Sequence, residues 1–225
     1  MVVVNHAVVT GVSSGIGAAV ATTLVADGWR VTGLSRREPE VDGIDWVQAD
    51  LADLDRVRAV AAELVDVDAV VHAAGLQRSA PLGRLDVADL EAMWRVHVAA
   101  AEVLVNGVVD RIADGGRIVL IGSRTMTGNA GKSQYVATKS ALTGMSRSWA
   151  MELVSRGITV NVVAPGPTDT AMLGDPSRAH TPPRTPPLGS FIEPAEVAGL
   201  TAFLLGPLGR NITGQTIVQC AGASL

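Results

Sequence analysis

The sequence contains one cysteine, Cys220, and aromatic residues make up only 3% of its 225 residues. A single cysteine excludes an internal disulfide, which is typical of proteins in a reducing compartment. The four histidines, His6, His72, His97 and His180, lack the spacing of a zinc site such as His-x-x-x-His. We therefore expect no metal.

The sequence also lacks any run of basic residues, and its net charge is −4. This balance disfavours a nucleic-acid partner. The amino terminus has none of the regions of a signal peptide. The longest apolar stretch, Val96 to Val109, is interrupted by His97, Glu102 and Asn106, so it predicts a buried or interface helix rather than a membrane span. We expect a cytoplasmic protein with no membrane partner.

Short β-branched runs alternate with longer helical segments along the chain. The runs predict strands at Val2–Thr10, Arg30–Leu34, Trp46–Gln48, Ala69–Ala73, Arg117–Ile121, Thr159–Ala164 and Thr216–Val218. Helices are predicted at Ala18–Ala26, Leu54–Val65, Val87–Val109, Gln134–Leu153 and Pro194–Leu205. The alternation predicts one α/β domain over residues 1–225, with a doubly wound, seven-stranded parallel sheet flanked by helices.

The segment from Ala171 to Ile192 breaks this alternation because it is rich in proline. Its prolines are Pro176, Pro182, Pro183, Pro186 and Pro187. Proline prevents both a continuous helix and a central strand. A long loop after the strand that ends near Pro165 predicts a substrate lid over residues 171–192, with a plain surface linker as the alternative.

A glycine-rich turn follows the first predicted strand and opens a helix. It reads Thr10-Gly11-Val12-Ser13-Ser14-Gly15-Ile16-Gly17. Glycine permits close backbone approach, and a helix amino terminus offers free N–H groups to a pyrophosphate. The turn alone is weak evidence, because any tight turn favours glycine. Its place after the first strand predicts a dinucleotide site at Gly11, Ser13, Ser14, Gly15, Ile16 and Gly17.

The second predicted strand leads into Ser35, Arg36 and Arg37. An acidic residue at this place would bind the ribose 2′-hydroxyl of NAD, and Ser35 stands there instead. The planar guanidinium group matches a phosphate. The three residues therefore favour NADP (NADPH) over NAD, with ordinary surface charges as the alternative for the two arginines.

Tyr135, the only tyrosine, precedes Lys139 by four residues, in a chain with two lysines and sixteen arginines. Residues four apart lie on the same side of a helix. An ammonium group near a phenol lowers the tyrosine pKa from about 10, which makes a proton donor usable near neutral pH. The alternative is a chance pair on a solvated helix face.

With these motifs the chain resembles the short-chain dehydrogenase/reductase family, of the compact type that includes 3-oxoacyl reductases. The resemblance covers nearly the whole length. Besides the glycine turn and the Tyr135 and Lys139 pair, its motifs are Asp50-Leu51, His72-Ala73-Ala74-Gly75, Ser123, Pro165-Gly166, Thr168 and Thr170.

The resemblance implies a Rossmann-like domain and a role for each matched residue. Asp50, with Leu51 beside it, would bind the adenine, and Ala73, Ala74 and Gly75 would lie along the cofactor. Backbone from Pro165 and Gly166 to Thr168 and Thr170 would hold the nicotinamide amide. Tyr135 would exchange a proton with a carbonyl or alcohol substrate, Ser123 would bind the same oxygen, and Lys139 would hold the ribose. A homodimer or homotetramer is also implied.

Two histidines stand where this family commonly has asparagine. His97 replaces an asparagine that is thought to hold a relay water next to the lysine. We predict that His97 takes over the relay and makes turnover pH-sensitive; the alternative is a buried histidine satisfied by a backbone carbonyl. His72 replaces a bracing amide, and we expect the bracing to be rearranged rather than lost.

The sequence thus favours an NADP-dependent oxidoreductase acting on a carbonyl or secondary alcohol. The alternative is a non-catalytic NADP-binding regulator on the same fold. A cofactor-free lyase or dehalogenase should lack the glycine turn and Lys139, both of which are present.

Overall fold

Seven parallel strands form the centre of the protein in a computed structural model that describes residues 5–175 and 181–225. They are β1 (His6–Thr10), β2 (Arg30–Ser35), β3 (Asp45–Gln48), β4 (Val67–His72), β5 (Ile112–Ile121), β6 (Thr159–Pro165) and β7 (Thr216–Gln219). Their order in the sheet is β3-β2-β1-β4-β5-β6-β7. The winding direction reverses between β1 and β4, so the carboxyl ends of these two strands border the crevice in which such sheets bind ligands. The doubly wound sheet is confirmed.

The central strands are buried on both faces, which explains their near-continuous β-branched sequences. Every residue of β1 and of β6 is buried. Alternate residues point to opposite sides, so Val8 belongs to one apolar cluster and Val9 to the other. The two clusters fix the register of the sheet, and with it the positions of the residues that follow each strand.

Helices cover both faces of the sheet. They are α1 (Gly15–Ala26), α2 (Leu54–Glu63), α3 (Val87–Trp94), α4 (Ala100–Val108), α5 (Ser133–Leu153) and α6 (Pro194–Leu205). The first face is covered by α2, α4 and α5, and the second by α1 and α6. Local signals set several starts: the Asp53 carboxylate accepts a hydrogen bond from the Arg56 N–H at α2, and α6 begins with a capping box between Glu193 and Glu196.

The helix predicted over Val87–Val109 is interrupted, and this prediction needs correction. A π-helical turn, Arg95–Ala99, separates α3 from α4 and contains His97. The stretch Val87–Arg111 passes a test of length and apolar composition for a membrane span, a test that core helices also pass. Leu104 and Val108 are completely buried in the core, as expected for a core helix.

Several other boundaries also differ from the predictions. β5 begins at Ile112 instead of Arg117, because Val67 pairs with Ile112 across an irregularity in the register. No apolar run in the sequence indicates this pairing. Residues 2–4 of the first predicted strand lie outside the described residues. So do residues 176–180 of the proline-rich segment, including His180. The described parts of that segment form no helix or named strand.

Candidate functional site

A cleft of about 680 Å³ opens at the carboxyl ends of the strands. It brings together residues that lie far apart in the sequence. Of the predicted site residues it is lined by Ile16, Ala73, Gly75, His97, Ser123, Tyr135, Lys139, Pro165, Gly166, Thr168 and Thr170. The remaining predicted residues follow β1, β2, β3 and β4, and so lie along the same edge of the sheet.

The glycine turn brings β1 and the start of α1 unusually close together. A Cβ added at Gly17 would lie 2.4 Å from the Gly11 carbonyl oxygen, and Gly11 has a φ of 79°. Both positions therefore require glycine. At the start of α1 the Ser14 side chain makes no capping hydrogen bond, and the first turn has no acidic residue. The helix amino terminus is thus available to an anion, and a diphosphate group fits here.

Ser35 does not stand free to hold a ribose. Its hydroxyl donates a hydrogen bond to the Arg37 carbonyl (2.6 Å) and accepts one from Trp46 Nε1 (3.1 Å). The serine therefore shapes the turn that carries Arg36 and Arg37. Both arginines are exposed, and neither guanidinium group makes an ion pair with any residue in 5–175 or 181–225. They can accept a phosphate at the end of β2.

The residues predicted around the adenine differ in what they can offer. Asp50 is exposed, and its Oδ1 accepts a hydrogen bond from the Ala52 N–H (2.9 Å), so the carboxylate is held in place. Leu51 is buried in the core and leaves only its backbone for a ligand. The N–H groups of Ala73 and Ala74 are already bound to the Thr10 hydroxyl.

Helix α5 and the end of β5 supply the central polar groups. Tyr135 and Lys139 lie one turn apart on α5, and both are buried while lining the cleft. Ser123 follows β5, and its Oγ is 2.9 Å from the Thr125 hydroxyl and accepts from the Thr125 N–H (3.3 Å). The three side chains thus converge on one cleft, which brings a phenol, a hydroxyl and an ammonium group within reach of one ligand.

Lys139 is held in an apolar setting. Its Nζ donates to the Ile121 carbonyl (2.7 Å), and its side chain is 4% exposed. Burial lowers the pKa of Lys139 from 10.5 to about 7, because the charged form loses its hydration. The lysine can therefore change its charge near neutral pH.

His97 is completely buried, and both of its ring nitrogens are hydrogen bonded. The Leu76 N–H donates to Nε2 (3.0 Å), so the proton resides on Nδ1, which donates to the Thr138 hydroxyl (2.9 Å). Burial, followed by the charge of Lys139, lowers the pKa of His97 well below 6.5. The ring therefore stays neutral at pH 6.5, so its own titration does not supply the predicted pH sensitivity of turnover. The ring is buried and hydrogen bonded, but its partners are a backbone N–H and a hydroxyl instead of the backbone carbonyl of the alternative. The relay role stays a prediction.

His72 braces two strands and the π-helical turn. Thr10 Oγ1 accepts hydrogen bonds from the N–H groups of Ala73 and Ala74 (3.1 Å each), so its own proton goes to His72 Nδ1 (3.0 Å). His72 Nε2 then donates to the Val96 carbonyl (3.0 Å). The predicted rearrangement of the bracing is confirmed.

The two neutral histidines are expected to make the protein acid-sensitive. Burial, with a smaller effect of the Lys139 charge, lowers the pKa of His72 to about 3. Below about pH 6.5 the histidine binds a proton in the unfolded chain but not in the folded chain. The free energy of unfolding therefore falls as the pH falls from 6.5 toward 3. Between pH 7 and pH 5, His72 alone should lower the free energy of unfolding by about 2 kcal/mol, and His97 acts in the same direction.

Urea unfolding of the wild type and of His72→Asn at both pH values measures this effect. The asparagine variant should show a loss smaller by about 2 kcal/mol, whatever its stability at pH 7. An equal loss in both proteins would contradict a neutral His72.

The segment after β6 folds back over the glycine turn. The Thr170 methyl group lies 3.1 Å from the position that a Cβ on Gly15 would take. Thr168 donates to the Gly166 carbonyl (3.1 Å) and forms a parallel bridge with Ile192. Pro165 and Gly166 thus continue β6 into the cleft, where the resemblance places the nicotinamide amide.

The sequence analysis missed some residues of the site. Thr138 links His97 to the Tyr135 carbonyl, to which its hydroxyl donates (2.9 Å). Its position on α5, three residues after Tyr135, could have identified it. Arg124 and Arg184 also line the cleft. Arg124 adjoins Ser123 in the sequence, whereas nothing local marks Arg184.

Comparisons with known proteins agree on the family. The family model described as enoyl-(acyl carrier protein) reductase matches residues 11–224. The 3-oxoacyl-(acyl-carrier-protein) reductase FabG of Salmonella typhimurium is 37% identical, over 94% of this chain and 93% of that protein. The cyclic-di-GMP-binding biofilm dispersal mediator protein of Escherichia coli is 34% identical over 92% of this chain and 91% of its own.

Solved structures show the same fold. A short-chain dehydrogenase from Burkholderia cenocepacia in complex with NADP is 35% identical, with a TM-score of 0.89 over 98% of both chains. A blue fluorescent protein from a metagenomic library, in complex with NADPH, is 35% identical, with a TM-score of 0.87 over 98% of both chains. The glycine turn, the paired Tyr135 and Lys139 with Ser123, and these matches together place the chain in the short-chain dehydrogenase/reductase family.

Proposed function

We propose that this protein is an NADP-dependent oxidoreductase that interconverts a carbonyl group and a secondary alcohol, with Tyr135 as general acid and base. The observation that carries the proposal is the convergence of Ser123, Tyr135 and Lys139 on one cleft beside the glycine turn. The test is NADPH consumption with a panel of ketones and aldehydes. A protein that binds NADPH and reduces none of them would contradict the proposal.

The residues along the strand ends fit NADP(H). The open amino terminus of α1 would hold the diphosphate, and Arg36 and Arg37 would hold the 2′-phosphate. Asp50 would accept from the adenine amino group, Lys139 would hold the ribose, and the backbone after Pro165 would hold the carboxamide. When bound, the reduced nicotinamide supplies the hydride. Relatives of known structure whose complexes contain NADP or NADPH support this assignment.

The chain's own residues would manage the proton and orient the substrate. The Tyr135 hydroxyl would donate its proton to the substrate oxygen during reduction and take it back during oxidation. The Ser123 hydroxyl would donate a hydrogen bond to the same oxygen and fix its position. Lys139, with a pKa of about 7, would supply positive charge that favours the phenolate after the proton has left.

Arg36 is expected to decide between the two nicotinamide cofactors. Arg36→Asp should lower the ratio of kcat/KM for NADPH to kcat/KM for NADH by about tenfold or more, because a carboxylate repels the 2′-phosphate and accepts from a ribose hydroxyl. The matched control is Arg210→Asp, which makes the same charge change at an exposed site outside the cleft. An unchanged ratio for Arg36→Asp would mean that the 2′-phosphate is bound elsewhere.

The second candidate function is an NADP-binding regulator without catalysis. One observation favours it, namely the 34% identity to a protein described as a cyclic-di-GMP-binding biofilm dispersal mediator. NADPH binding without turnover on a broad carbonyl panel would support the regulator. The complete set of Ser123, Tyr135 and Lys139 supports the enzyme.

Three further expectations stay predictions: the lid over residues 171–192, the cytoplasmic location and the homodimer or homotetramer. Exposed apolar side chains on the helices that this family uses for pairing support the oligomer. They include Trp94 at the end of α3 (46% exposed) and Met151 near the end of α5 (76% exposed).

A further inference from the structure

In the part of the chain that the structure describes, the charged side chains that line the cleft are all basic. Three of its lining residues are cationic at neutral pH, namely Arg124, Lys132 and Arg184, and Lys139, with a pKa of about 7, is a cation for part of the time. None of the lining residues in 5–175 and 181–225 is an aspartate or a glutamate. The chain as a whole has a net charge of −4, so the charge of the cleft is opposite in sign to the net charge of the protein. A cleft of one sign attracts ligands of the opposite sign.

Arg124 and Arg184 are the cations that no protein group neutralises. Among the described residues, neither side chain takes part in an ion pair or a side-chain hydrogen bond. Several other arginines do have such partners: Arg156 binds Asp114, and Arg111 binds the carbonyls of Ala61 and Leu64. A guanidinium group held at a cleft without a protein acceptor is available to the oxygens of a ligand.

The position of Arg124 separates it from the phosphates of the cofactor. The glycine turn follows β1, whereas Arg124 follows β5, and β4 lies between these two strands. Neighbouring strands are about 4.8 Å apart, so the two strand ends are roughly 10 Å apart. Arg124 is instead the residue after Ser123, whose hydroxyl is assigned to the substrate oxygen. Its charge therefore acts at the substrate end of the cleft.

Arg184 approaches the same cleft from the proline-rich segment. Thr181 in that segment donates to the Ser79 hydroxyl (3.3 Å), and Leu188 N–H donates to the Ala221 carbonyl (3.2 Å). These two hydrogen bonds hold the segment to the connection after β4 and to the end of the chain. The two arginines thus line one cleft from separate parts of the fold.

We propose that the carbonyl substrate carries an anionic group, a carboxylate or a phosphate, which Arg124 binds together with Arg184. The proposal rests on the proposed function for the identity of the reacting carbonyl. The planar fork of a guanidinium group matches the paired oxygens of either anion. Arg124 would hold the charged group of the substrate while Ser123 holds its carbonyl oxygen, so the two adjacent residues would set the direction in which the substrate lies.

The test compares each anionic compound with a neutral partner of the same skeleton. One arm uses 2-oxo, 3-oxo and 4-oxo carboxylates with their methyl esters, and the other uses dihydroxyacetone phosphate with dihydroxyacetone. Both kcat/KM with NADPH and calorimetric binding to the NADP-loaded protein are measured. The anion of the best pair should be preferred by about tenfold or more, the usual effect of a hydrogen bond to a charged group.

Arg124→Gln and Arg184→Gln should each reduce that preference, with Arg124→Gln removing most of it. Arg210→Gln is the control with the same loss of charge outside the cleft. The neutral partners should bind Arg124→Gln as they bind the wild type, which separates lost recognition from lost folding. The arm that shows the preference tells whether the anion is a carboxylate or a phosphate.

The outcomes distinguish this proposal from the proposed function. Tighter binding of the anions that depends on Arg124 supports the proposal even if no compound is reduced, in which case the oxidoreductase activity is what fails. Equal binding and equal turnover of anions and neutral partners in both arms overturns the proposal. Reduction of the neutral ketones would in that case still support the oxidoreductase.

Discussion

Replacing Tyr135 by phenylalanine is expected to lower carbonyl reduction by about a thousandfold while NADPH affinity changes by less than about threefold. A general acid and base contributes about 10² to 10⁴ to the rate, and phenylalanine removes the only atom that can transfer the proton. The ring itself is kept. It packs edge-on against His97 with the ring centres 5.7 Å apart, and the residue is 8% exposed, so the fold should be undisturbed.

Two measurements decide this first prediction. Fluorescence titration gives the affinity for NADPH, and stopped-flow absorbance gives the rate of NADPH oxidation with the best ketone. Loss of the rate with retained affinity is the expected result. A rate within tenfold of the wild type would show that another group or a water transfers the proton. Loss of both rate and affinity would mean that the hydroxyl is needed for binding.

Replacing Lys139 by arginine is expected to lower kcat by about a hundredfold although the positive charge is kept. The lysine Nζ fits a narrow site, with the Ile121 carbonyl 2.7 Å away and Gly75 so close that a Cβ there would lie 3.6 Å from Nζ. A planar guanidinium group needs more room and cannot become neutral, whereas Lys139 has a pKa of about 7. The exchange therefore tests whether the shape and the titration of the side chain matter, because the positive charge is kept.

Lys139→Met completes this comparison, because it keeps the length of the side chain and removes the charge. Both variants should lose activity, and both should lose the part of the pH–rate profile that titrates near pH 7, because neither arginine nor methionine changes its charge there. Lys132, the only other lysine, provides the control. Lys132 lines the same cleft but is partly exposed, so Lys132→Arg at the start of α5 keeps the charge without a narrow fit and should retain kcat within about threefold. Full activity in Lys139→Arg would refute the requirement for an ammonium group.

The strands and helices were predictable because each carries a strong local pattern. β1 and β6 are completely buried, so their sequences are mostly apolar, and α6 begins at a proline with a capping box. The π-helical turn at Arg95–Ala99 was not predictable, because its residues have the same apolar spacing as the α-helices around it. Tertiary contacts, such as the hydrogen bond of His72 to the Val96 carbonyl, determine where it forms.

Site residues whose geometry is set by one local motif were predictable. Site residues whose state depends on hydrogen-bond partners from other elements were not. Gly11 and Gly17 leave a visible spacing, because their backbone geometry excludes any side chain. The state of His97 depends on the Leu76 N–H and the Thr138 hydroxyl, which come from two other elements, so its lowered pKa could not be inferred from residue type. The hydrogen bonds of the Ser35 hydroxyl could not be inferred either, since its partner Trp46 lies on the neighbouring strand.

The hydrogen bond between His72 and the Val96 carbonyl also has an evolutionary consequence. Val96 precedes His97, so the ring at position 72 holds the backbone that orients the ring at position 97. Substitutions at the two positions are therefore coupled, because contacting residues of one hydrogen-bond network do not contribute additively. An asparagine introduced at one position alone would lie in a hydrogen-bond network whose geometry suits two imidazole rings. A single exchange at either position is thus expected to cost more stability than the paired exchange, which couples the two positions during divergence.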